Sequence, residues 1–162
     1  MAKFTNKIIK VISMDGSQIF FRLLNPFTRA IAKSPLHTII SRNIIVLIFP
    51  GKISGKTYSI PVSYLKSTNK ELFCLTEKEY IWWRNLIDYN TIQILLESKL
   101  LNANVSVESE NSTLIAEKIK AMCIHSRIDA AFANVRFKDK APIEEDIIAA
   151  SSKTVLLQLS II

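Results

Sequence analysis

The chain has three glycines in 162 residues, and two each of histidine and cysteine. His37 and His125 are isolated and Cys74 and Cys123 lie far apart, so neither a metal-ligand spacing nor a redox motif is present. Both cysteines read as buried thiols. Long apolar runs are missing too. The longest wholly apolar stretch, residues 44–49 (IIVLIF), is far too short to cross a bilayer. Lys3, Lys7 and Lys10 are followed by no apolar segment of signal-peptide length, so a cytoplasmic location is expected. There are no repeats and no low-complexity linkers. With 49% hydrophobic residues and a mean hydropathy of +0.22, one packed domain over residues 1–162 is the expectation.

Acidic residues are nearly absent from the N-terminal third. Residues 1–56 hold nine Lys and Arg against Asp15 alone, a net +8; the rest hold twelve basic and thirteen acidic side chains, a net −1. Such a field attracts anionic cofactors, membrane surfaces or nucleic acid. Nucleic acid is set aside, because no recognised motif is present and the aromatics do not interleave with the basic residues.

Residues 4–12 fit a short helix or a strand. From Ser17, Ile19, Phe20, Leu23, Leu24 and Phe27 recur at helical spacing. Asn25-Pro26 and Ser34-Pro35 each read as a cap followed by proline at a helix start. Two or three short helices are expected between Ser17 and Ser41. They form an N-terminal segment (1–41) ahead of a barrel (42–162); residues 1–33 fit a basic amphipathic anchor on a membrane surface, and the plainer reading is a helix packed across a barrel end with its basic side in water.

The strands are clearer. Residues 44–49 are β-branched and apolar, the mark of a strand buried on both faces. Residues 57–65 form a second strand after a loop in which Gly55 permits a tight return. That loop shows Lys52, Ser54 and Lys56 beside backbone N–H groups, a combination suited to phosphate. Solvated loop lysines are the plainer reading. Residues 71–76, 91–96, 100–108 and 153–162 complete six strands. Residues 77–89 read as a helix with Glu77 and Glu79 near its N-terminus. Adjacent Trp82 and Trp83 cannot share one helical face, so one belongs to the core and the other to a rim. Asn111 or Ser112 caps a helix that buries Leu114, Ile115, Ile119 and Met122, with Lys118, Lys120, His125 and Arg127 in its last turn. A second helix presents Ile128, Ala131, Phe132 and Val135, and Pro142 with Glu144, Glu145 and Asp146 opens a third. Sequential strands with short turns imply antiparallel pairing and closure into a small barrel. The fold class is therefore α+β, mainly β.

The stretches NPFTRAIAKSPLH (25–37), GKISGKTYSIPVSYL (51–65) and WWRNL (82–86) together resemble the split-barrel flavin- and deazaflavin-dependent nitroreductase family, related in fold to the pyridoxamine-phosphate oxidases. The resemblance covers most of residues 25–162. It implies a split barrel and a reductase in which FMN or a deazaflavin coenzyme carries hydride, with no catalytic side chain named and no metal. It implies that Lys52, Ser54, Gly55 and Lys56 grip cofactor phosphate. Tyr58, Ser59, Pro61 and Val62 would line the ring, and Thr76, Trp83 and Asn85 the neighbouring wall. Ile53 and Tyr58 stand where many deazaflavin users carry a basic residue and an arginine. The link 77–81 lacks glycine. The alternative is a non-catalytic barrel holding haem, a lipid or a polyphosphorylated ligand. A homodimer is compatible with either.

Overall fold

The computed structural model describes residues 43–97 and 99–162. The helices expected between Ser17 and Ser41, and the membrane contact expected of residues 1–33, lie outside them. The elements are β1 (Ile44–Pro50), β2 (Thr57–Lys66), β3 (Glu71–Glu77), a 3-10 helix (Ile81–Asp88), β4 (Thr91–Leu96), β5 (Lys99–Glu108), α1 (Ser112–His125), α2 (Arg127–Phe132), β6 (Phe137–Lys138), β7 (Ala141–Pro142), α3 (Glu144–Ser151) and β8 (Thr154–Ile161). Six strands close an antiparallel barrel in the order β1-β2-β3-β8-β5-β4, and β6 and β7 form a separate hairpin. The mainly β barrel is as expected.

By its contacts the chain divides into two units. In the first, residues 43–62 and 91–103, β1 pairs with β4 in the register Val46↔Leu95, Leu47↔Ile94 and Ile48↔Gln93. Ile45, Val46 and Leu47 are consecutive and all buried, so β1 is covered on both faces, as its unbroken apolar run requires.

In the second, residues 63–90 and 104–162, β3 and β8 pair along seven residues. Residues directly opposite share a face. Leu75 lies opposite Leu156 on the side of the helices, where Phe73, Ile115, Ile119, Ile147 and Leu156 make one core cluster. Leu72, Cys74 and Leu157 are on the other face and also buried. Burial pushes the Cys74 thiol far up. Burial, with Asp129 adding repulsion, raises Cys123 to about 11. Neither is a thiolate at neutral pH.

The helix ends follow local chemistry. Asn111 Oδ1 accepts from the Leu114 N–H at 3.0 Å and caps α1. Ser126 Oγ caps α2 at 3.2 Å. Asn134, at φ 56°, ends α2: Val135 N–H donates to Ala130 and Asn134 N–H to Ala131, a Schellman pair.

Four expectations change. The helix expected over 77–89 is a 3-10 helix beginning at Ile81, because Glu77 is still in the ladder opposite Thr154 and the Tyr80 N–H turns back to the Glu77 carbonyl. Glu77 and Glu79 therefore precede it and do not face its dipole. Burial, then the hydrogen bond and charge of Glu79, raise the Glu77 carboxyl. In α1, of the cations expected in the last turn, His125 alone sits there. Lys120 reaches Glu144 at 2.9 Å, and Arg127 starts α2 and lies 3.4 Å from the Phe137 ring centroid. In α2 the buried residue is Ala130, while Ala131 and Phe132 are exposed, because the helix stops after six residues. Leu114 in α1 is only half-buried. The β6–β7 hairpin was not anticipated; its turn puts Asp139 (φ 50°) and Lys140 (φ 67°) in the left-handed region.

One ion pair ties α3 to the segment before β6. Arg136 donates to both Asp146 oxygens at 2.9 and 2.8 Å, and its own N–H adds a third bond at 2.9 Å. These bonds hold the Asp146 carboxyl at about 2, below its ordinary 3.8. A depressed carboxyl contributes stability above its unfolded value and loses it as pH falls through the folded one. The melting-temperature difference between wild type and Asp146→Asn is thus expected to be constant above pH 5 and to vanish as pH falls from about 4 to about 2. A difference that persists at pH 2 would show that Asp146 acts otherwise.

Candidate functional site

The β1–β2 hairpin is the part of the first unit that gathers charge. Pro50 ends β1, and the chain returns through residues 51–56. The Gly51 N–H donates to the Lys56 carbonyl at 2.8 Å, and the Gly55 N–H to the Gly51 carbonyl at 2.8 Å. Gly55 takes φ +62° with open space around its α-carbon, which is the conformational role expected of it. The Lys56 N–H reaches Ser54 Oγ at 3.3 Å. Three backbone N–H groups are thus occupied within the loop.

Ser54 is held in place from β2. Tyr58 folds back over Gly51, and a Cβ at Gly51 would overlap Tyr58 Cε2. The ring stacks on Phe49 with centroids 6.0 Å apart and planes 22° from parallel. Its hydroxyl shares a 3.3 Å hydrogen bond with Ser54 Oγ. Lys52, Ser54 and Lys56 are all exposed. The hairpin therefore brings together Lys52, Ser54, Gly55, Lys56 and Tyr58. Phe49 and Gly51, which support them, were missed as site residues. A glycine two residues after an aromatic and seven before another gives no local signal that a ring will lie across it.

Farther along β2 the candidates separate. Side chains alternate across a strand, so Tyr58 and Val62 fall on one face and Ser59 and Pro61 on the other. Ser59 is buried and Pro61 exposed. No single ligand face is offered by all four.

The remaining candidates belong to the second unit. Thr76 lies opposite Val155, on the β3 face that also carries Cys74. Trp83 is buried and its indole N–H donates to the Lys78 carbonyl at 3.2 Å. Asn85 Nδ2 donates to the Trp82 carbonyl at 2.8 Å. Trp83 is the core tryptophan and Trp82 is half-buried. Burial recurs every three residues here, with Trp83 and Leu86 inside and Ile81, Arg84 and Ile87 outside. That is the period of a 3-10 helix. The Arg84 guanidinium lies 5.5 Å from the Trp83 ring centroid.

No family model matches the chain, and no curated protein matches it. Solved structures do. A pyridoxamine 5′-phosphate oxidase-related, FMN-binding protein from Nostoc punctiforme aligns with a TM-score of 0.53 at 17% identity, over 85% of this chain and 81% of that one. The fold is a split barrel. The haem storage protein HutZ from Vibrio cholerae aligns with a TM-score of 0.49 at 15% identity, over 86% of this chain and 90% of that one. Among the described residues no group of three His, Cys, Asp or Glu is placed to hold a metal ion. No described helix is long and apolar enough to cross a membrane.

Proposed function

We propose that the protein binds a phosphorylated, planar redox cofactor of the flavin type and acts as a reductase of nitro or quinone substrates. The observation that carries the reading is the β1–β2 hairpin, where Lys52, Ser54 and Lys56 are exposed together and Tyr58 holds Ser54 in place. Two ammonium groups and a hydroxyl suit the charge and donor needs of a phosphate monoester. The FMN-binding barrel from Nostoc punctiforme shares the fold, and FMN is the form favoured for the first test, with a deazaflavin coenzyme as the second.

In this reading Lys52 and Lys56 neutralise the phosphate and Ser54 donates to one of its oxygens. Tyr58 keeps the hydroxyl aimed, and the apolar side chains of β2 exclude water from the ring. A bound flavin would supply the two-electron hydride chemistry; the protein positions it.

The test is spectroscopic titration of the purified protein with FMN and then with the deazaflavin coenzyme. Saturable binding of either is expected. The double variant Lys52→Ala/Lys56→Ala is expected to weaken it by about 3–6 kcal/mol, since each charge-assisted contact is worth about 1.5–3 kcal/mol. Unchanged affinity in that variant removes the phosphate assignment. Tight binding with no turnover of quinones or nitroaromatics would assign the barrel to ligand carriage.

A further inference from the structure

Ile53 is the most exposed of the large apolar residues among those described, at 101% of its reference surface. It sits at the tip of the hairpin between Lys52 and Lys56, both exposed. Turn tips are ordinarily occupied by glycine, proline or small polar residues, so a β-branched apolar side chain there has no local conformational reason. Phosphate recognition gives it no role either.

The tip is also pre-shaped. The bonds from Gly51 to Lys56 and from Gly55 to Gly51 close the loop, and Tyr58 clamps Ser54 from the side. Ile53 is presented by a fixed frame, so little ordering is needed when it meets a partner. The surrounding charge has one sign. Among the described residues of this unit the one acidic side chain is Glu97, just beyond β4. The β1–β4 register runs from Ile48↔Gln93 to Val46↔Leu95, which places Glu97 toward the opposite end of β1 from the hairpin. The sequence itself holds no Asp or Glu between Asp15 and Glu71.

We propose that this tip touches an anionic lipid surface, with Ile53 entering the interfacial layer and Lys52 and Lys56 meeting lipid phosphates. One apolar side chain between two lysines is too small a patch for a stable second copy of the chain. A bilayer interface accepts a single apolar residue and rewards flanking cations. The inference goes beyond the cofactor reading: the two share Lys52 and Lys56, and Ile53, which cofactor binding leaves unused, tells them apart.

The experiment is cosedimentation of the full chain with vesicles of phosphatidylcholine, alone or mixed with phosphatidylglycerol. Wild type is expected to pellet with the mixed vesicles and not with the neutral ones. Ile53→Ser, which adds no charge beside the lysines, is expected to lower the bound fraction about tenfold, with melting temperature and FMN titration unchanged. Ile53→Cys provides a second readout, because Cys74 and Cys123 are buried and the new thiol takes an environment-sensitive dye. Its emission should shift to the blue on adding mixed vesicles. The proposal is overturned if wild type is indifferent to lipid charge, if Ile53→Ser pellets like wild type, if the dye does not shift, or if Ile53→Ser loses FMN and lipid together. A chain that binds no flavin but gives the expected lipid results would remove the cofactor reading and leave this one standing.

Discussion

Replacing Gly51 by alanine is expected to destabilise the protein by about 1–3 kcal/mol, the range for forcing an extra carbon into a packed site. The new Cβ would overlap Tyr58 Cε2 and lie 2.7 Å from Ser54 Oγ. Tyr58 cannot swing away cheaply, because it is stacked on Phe49 and its hydroxyl is bonded to Ser54. Displacing the ring releases the hydroxyl that orients Ser54. Anion affinity should therefore fall as well, by about tenfold if one hydrogen bond is lost. Urea denaturation of Gly51→Ala, Tyr58→Ala and the double variant checks the cause. In the Tyr58→Ala background the glycine substitution should cost much less, since the obstructing ring is gone. An equal cost in both backgrounds would place the requirement for glycine in the backbone instead. Gly55→Ala is the contrasting case: nothing surrounds that α-carbon, and any loss there comes from φ +62° alone.

The second large effect is expected at Trp83. Truncation to alanine should cost about 3–5 kcal/mol, as for other buried aromatic residues. Trp83→Phe keeps most of the volume but removes the donor to the Lys78 carbonyl, at a cost of about 1 kcal/mol. Flavin affinity in Trp83→Phe is expected to stay within about twofold of wild type, since the indole N–H already serves a backbone carbonyl and the ring is 7% exposed. Thermal melting together with the same FMN titration separates the two roles. A fall in affinity without a fall in stability would make the indole a ligand contact.

Much of the barrel was legible before folding. The apolar run 44–49, the strands 57–65 and 91–96, and the cap at Asn111 all rest on chemistry within a few residues. The site was legible in part. The two lysines, Ser54 and Gly55 announce a charged hairpin, but they do not announce that the amides of Gly51, Gly55 and Lys56 are engaged within the loop. The helix after β3 was misread, because apolar residues at positions 81, 82, 83 and 86 fit more than one helical period. The choice came from the ladder that keeps Glu77 opposite Thr154. The β6–β7 hairpin gave no signal, since Lys140 takes the left-handed position that glycine usually marks.

The sequence by itself determined which segments are the barrel strands, where the β1–β2 hairpin turns, where α1 begins, and that the N-terminal third carries the positive charge. Dihedral preference, alternation and capping act over a handful of residues, so they can be read locally. Tertiary structure decided which of those residues work together. It laid Tyr58 across Gly51, put Leu156 into the cluster with Phe73 and Ile147, and joined Ser160 to Glu71 at 2.7 Å across 89 residues of chain. Such contacts depend on the register of strands distant in sequence, and no local pattern specifies them.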